Sequence, residues 1–161
     1  LRLKVKLQAS RENLEKIRLF SEEFIDLLGV DMISGFQIKL ATDEICMNAV
    51  DHAMEFSGYF EYLVTVTPNT INIQVRDFAG KVFNPMYFLV MSEDQNSLMK
   101  AGGRGLKIVT EVADNFVIFT VPGEETVVSF SKKLEVPKLN KNEIKALTEK
   151  YFFSLDYTLE I

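Results

Sequence analysis

Three glycines, Gly102, Gly103 and Gly105, fall within four positions, with Arg104 among them, and an apolar run of helical spacing follows from Leu106. Glycine lets a ligand approach the main chain closely. A helix start adds free N–H groups and the positive end of the dipole, so the pair makes a ready site for phosphate. The same residues also fit a loop that only needs to turn. A second group lies in "LATDEICMNAVDHA". At helical period Glu44, Asn48 and Asp51 fall within an arc of about 60°, and His52 stands at its border, four residues after Asn48. A carboxylate, an amide and a second carboxylate suit a hard cation such as Mg²⁺; a solvated polar face is the plainer alternative. A third signal is the strand "TINIQVRDF", where Ile71, Ile73 and Val75 share a face that Asp77 continues. An aspartate on a core face is costly unless paired. Asp77 therefore reads either as a recognition carboxylate at the bottom of a pocket or as a turn cap beside Gly80, with the strand ending at Arg76.

These residues need elements to hold them. Ile38, Thr42, Ile45, Cys46, Ala49 and Ala53 form the opposite, core-facing side of a helix over Gln37 to Phe56. Cys46 there acts as a small hydrophobe. Before it, "LRLKVKL" alternates as a half-exposed strand and is expected at a sheet edge, where lysines discourage stray pairing. A helix capped by Ser10 runs to Gly29. "YFEYLVTV" and "TINIQVRDF" read as strands joined at "TPNT". Residues 79–101 lack periodicity and read as a functional loop. A helix is expected from about Leu106 to Asn115, then two strands around "PGEE", then a tail helix in "KNEIKALTEKYFFSL". Its apolar stripe, Ile144, Leu147, Tyr151 and Leu155, must bury against a groove or a partner. The order predicts an α+β protein: a two-layer α/β sandwich with a mixed, mostly antiparallel sheet and helices on one face. Two units are expected, a domain over residues 1–136 and a C-terminal helical extension over 137–161.

Composition bounds the function. The chain has 161 residues, 47% of them apolar, enough for one domain with a real core. A net charge of −5, from 18 basic and 23 acidic side chains, offers no general field for nucleic-acid backbones. One cysteine makes no disulfide framework, and no apolar run reaches membrane-spanning length, so a cytoplasmic protein is expected. The glycine cluster is not a dinucleotide fingerprint or a Walker A loop, because no strand leads into it and the spacing differs.

Taken in order, three segments resemble one superfamily. "DEICMNAVDHA" resembles the N-box of the ATPases that include DNA gyrase, histidine kinases and mismatch-repair proteins; "VRDFAGKVFNP" and "GGRGLKIV" resemble its two glycine boxes. The compact form is most similar to bacterial anti-sigma factor serine/threonine kinases, over residues 1 to about 134. The resemblance implies ATP and Mg²⁺ as cofactors. It implies that Asn48 holds the Mg²⁺, Glu44 is the general base, Asp77 binds the adenine amino group and Gly80 lets the adenine edge approach. Asp51 and His52 would complete the nucleotide site. Gly103, Gly105 and Leu106 would cradle phosphates at the helix start, Arg104 would reach the terminal phosphate, and residues 86–101 would form a lid. A sigma factor and an antagonist protein would be the partners, with homodimerisation through the "LRLKVKL" strand. Ala79 and Lys107 stand where the boxes commonly have glycine. They favour the alternative of an ATP-binding regulatory module without kinase activity.

Overall fold

The computed structural model describes residues 1–56, 58–78 and 103–161. Its elements are β1 (Arg2–Gln8), α1 (Arg11–Leu28), α2 (Met32–Phe56), β2 (Tyr59–Val66), β3 (Thr70–Asp77), α3 (Gly103–Val112), β4 (Asn115–Val121), β5 (Glu125–Lys133), α4 (Lys141–Phe152) and β6 (Asp156–Glu160). The strands form one sheet in the order β4-β5-β3-β2-β1-β6, and every described pair is antiparallel. Tight turns connect β2 to β3 and β4 to β5, which antiparallel neighbours permit.

Alternation sets the inner face. Leu3, Val5 and Leu7 of β1 are buried, as are Phe60, Tyr62 and Val64 of β2 and Ile71, Ile73 and Val75 of β3. Helices cover that face, so the molecule is the expected two-layer α+β sandwich. α2 is the central helix, in contact with β2, β3, β5, α1 and α3. Its buried side holds Ile38, Thr42, Ile45, Cys46, Ala49 and Ala53, as the helical period requires.

Local signals explain the ends. The Ser10 side chain accepts from the Asn13 N–H at 3.1 Å, and Gly29 closes α1 at φ 64°. α2 begins at Met32, five residues before the expected Gln37. Asp31 Oδ1 accepts the Ser34 N–H at 2.9 Å and caps that turn. The first turn escaped the pattern because Met32, Ile33 and Phe36 are exposed. α3 also starts earlier than Leu106, at Gly103, and stops at Val112, leaving Asn115 to open β4.

Two expectations about the ends of the chain are corrected. β1 is not at a sheet edge: it pairs with β2 on one side and β6 on the other. The tail is not helix alone, since α4 is followed by the strand β6. The alternation of "DYTLE" is only five residues long, and the neighbouring helical stripe masked it. The stripe does bury: Ile144 and Leu147 are in the core, while Tyr151 and Leu155 pack against it. Phe152 lies against Phe20 of α1 with ring centroids 4.8 Å apart.

Candidate functional site

Glu44, Asn48 and His52 lie one turn apart along α2. Glu44, Asn48 and His52 are partly buried, and Asp51 is exposed. With a rise of 1.5 Å per residue, Glu44 and His52 mark a line of about 12 Å along the helix. Each end of that line meets a different element.

At the Glu44 end stands the start of α3. A Cβ placed on Gly105 would run into the Glu44 carboxylate. Glycine at 105 therefore lets the first turn of α3 come up against Glu44. Gly103, Arg104, Gly105 and Leu106 are the first four residues of α3, and a helix leaves its first four N–H groups without intrahelical acceptors. The Leu106 side chain is buried in the core, so the group it can offer a ligand is its backbone N–H. Glu44 thus brings an acidic side chain to the positive end of a helix. Its pKa is nonetheless raised, first by burial and then by the charge of Asp43, with Arg18 pulling the other way. Asp43 is itself held by Arg18, whose Nε binds Asp43 Oδ1 and whose Nη2 donates to Asp43 Oδ2 at 3.2 Å.

At the other end stands Asp77, only 3% exposed, where β3 lies between β2 and β5. The strand runs through Asp77, which is in register with Phe60 and Thr126. This excludes the reading in which the strand ends at Arg76. His52 Nδ1 lies 3.6 Å from Asp77 Oδ2. That pairing joins α2 to β3, and its one signal in the sequence is that His52 sits a turn after Asn48. Gly80, Ala79 and the lid expected at 86–101 lie outside the described residues. The Arg104 side chain does too, although its backbone is in α3.

The arrangement is a helix face with a carboxylate and the first-turn amides of α3 at one end, a buried carboxylate at the other and an amide between. Among the described residues no group of three or more His, Cys, Asp and Glu side chains could hold a metal ion. The donor set of Asn48 with Glu44 nearby still fits Mg²⁺, which usually takes few protein oxygens and completes its shell with phosphates and water. Asp51 is exposed, on the turn of α2 that follows Asn48.

No curated protein matches the chain in sequence. Among solved structures it resembles a chain in the SiaB–SiaC complex from Pseudomonas aeruginosa, at 9% identity and a TM-score of 0.57. That match covers 81% of this chain and 88% of the other, and at such low identity it speaks for the fold. Residues 7–132 match the histidine kinase-like ATPase domain, and this span holds α2, β3 and α3 with every residue of the line just described. ATP binding is what that domain type implies, and the chain belongs to the histidine kinase-like ATPase domain family.

Proposed function

We propose that the chain is an ATP-dependent serine/threonine protein kinase that also acts as an anti-sigma factor in a partner-switching system. The observation that carries the reading is the Glu44 carboxylate against the first turn of α3. Phosphates received by the α3 amides would lie beside a carboxylate of raised pKa, which is what a base near a reacting hydroxyl needs.

Each residue then has a role. Asp77 accepts a hydrogen bond from the adenine amino group in its buried position, with His52 holding the carboxylate and Gly80 leaving room for the ring edge. Asn48 lies midway, where it would hold Mg²⁺, and Asp51 flanks it. Mg²⁺ supplies neutralisation of phosphate charge. The N–H groups from Gly103 to Leu106 bind phosphate oxygens, and Arg104 reaches the terminal phosphate. Glu44 takes the proton from a serine or threonine hydroxyl as that oxygen bonds to the γ-phosphorus and the bond to the β-phosphate oxygen breaks. Positioning and charge neutralisation supply most of the catalysis in such transfers.

The substrate would be an antagonist protein and the second partner a sigma factor. Association with protein rather than nucleic acid accords with the net charge of −5. Among the described residues no helix is long and apolar enough to cross a membrane, and a cytoplasmic place is part of the proposal. A homodimer along β1 would require β6 to leave, since both sides of β1 are paired. The second reading is an ATP-binding regulatory module without transfer. Lys107 favours it, because it puts a side chain on α3 where the second box commonly has glycine.

Glu44→Gln separates the two. It keeps shape and removes basicity, so ATP should bind as before while transfer to a serine-bearing protein falls by about 10²–10⁴-fold. Transfer at the native rate would remove Glu44 from the base role. A native chain that binds ATP and phosphorylates no antagonist would establish the regulatory module.

A further inference from the structure

β6 lies beyond the segment that matches the ATPase domain. It runs antiparallel to β1, with Glu160 opposite Arg2, Thr158 opposite Lys4 and Asp156 opposite Lys6. Because side chains alternate along a strand, one face of β1 carries three cations, and β6 sets two carboxylates across from them. Lys4 Nζ also reaches Glu61 Oε1 on β2 at 3.2 Å, and Lys6 stands over the Tyr59 ring. On the opposite face Leu159 is level with Leu3 and Tyr157 with Val5, and both pack against the core. The edge of β1 is therefore matched to a strand that alternates acidic with apolar residues. A second copy of β1 does not suit it, since antiparallel pairing would set cation against cation.

The two C-terminal elements are anchored very differently. α4 is fixed through Ile144, Thr148 and Phe152, each no more than 1% exposed. No residue of β6 is fully buried, and Asp156, Thr158 and Glu160 are exposed. Between them lies a turn in which Leu155 N–H donates to the Phe152 carbonyl and Phe153 projects into solvent. The element with the least buried side chain opens first. Of the two C-terminal elements that is β6, whereas α4 is held by its buried side chains.

We propose that the β1 edge is a strand-acceptor site, that β6 is its built-in occupant, and that a protein partner docks there through an extended segment alternating acidic and apolar residues. Such a segment would add a strand in place of β6, with main-chain hydrogen bonds giving affinity and the alternating side chains giving specificity. The site is independent of the ATP reading, because β2 separates β1 from the strand that carries Asp77.

The test uses the full chain with Asp156→Lys and Glu160→Lys, both at exposed positions, and a fluorescent peptide of residues 154–161. Amide exchange at 156–160 should speed up in this variant while α4 remains protected. The peptide should bind the variant at least about tenfold more tightly than it binds the native chain. A peptide with lysine in place of its two acidic residues should not bind. Adding Arg2→Glu and Lys6→Glu to the variant should restore protection and abolish binding of the native peptide. Unchanged exchange in the lysine variant, no peptide binding to it, or equal binding of the two peptides would each overturn the proposal. So would loss of α4 protection together with β6, since the segment would then open as one piece.

Discussion

Glu44 sits under opposing influences. Burial and the neighbouring Asp43 raise its pKa, while Arg18 lowers it. A carboxyl whose folded pKa is raised favours the neutral form in the fold. Its contribution to stability is fully present below the unfolded pKa and is lost as pH rises through the folded one. The same shift makes Glu44 a stronger base once ionised, so the acidic limb of a pH–rate profile for phosphoryl transfer should lie above the ordinary glutamate value. Asp43→Asn removes a raising charge and frees Arg18, and both effects act downward on Glu44. The acidic limb should therefore move to lower pH in that variant, as pH–rate measurements would register; a limb that stays in place would mean that Asp43 does not tune the base.

Between elements, the contact of α2 with α3 turns on one missing side chain. Gly105→Ala should raise intrinsic helix propensity by about 1 kcal/mol, yet its Cβ would displace the Glu44 carboxylate. Phosphoryl transfer should fall while the melting temperature falls little or not at all; equal losses of both would mean that the close approach is only structural. The contact of α4 with α1 is of another kind. Phe152 is fully buried against Phe20, and Glu23 of α1 accepts from Lys150 Nζ at 2.7 and 2.9 Å and from the Tyr151 hydroxyl. The Lys150 and Tyr151 hydrogen bonds lower the Glu23 pKa, so this contribution is present above the unfolded value and is lost as pH falls through the folded one. The ion pair is exposed and the ring contact dominates. Phe152→Ala should cost about 3–5 kcal/mol in denaturant unfolding, and a much smaller loss would make the C-terminal segment an appendage.

For the whole molecule, Asp77 and His52 are the test of assembly, since β3 and α2 meet there only through the fold. Asp77→Asn should weaken ATP binding by about 1–3 kcal/mol in calorimetry, with the fold checked by melting; unchanged affinity would remove Asp77 from the adenine role. Much of this architecture was legible in the residues. The helical period placed Ile38 to Ala53 on the core side of α2, because burial of apolar side chains is a local, periodic demand; the period of two left Asp77 open between the inner face of β3 and a turn, and strand pairing decided for the inner face. The short strand β6 was not legible: five alternating residues carry little signal, and their partner β1 lies at the far end of the chain. Nor could the sequence say that β1 is covered, or that Gly105 faces Glu44. Residue types and spacing determined which side chains are chemically capable and which face of each element they occupy. Only the tertiary structure decided which of them meet, because those contacts join residues remote in sequence through sheet order and helix docking, to which no local period refers.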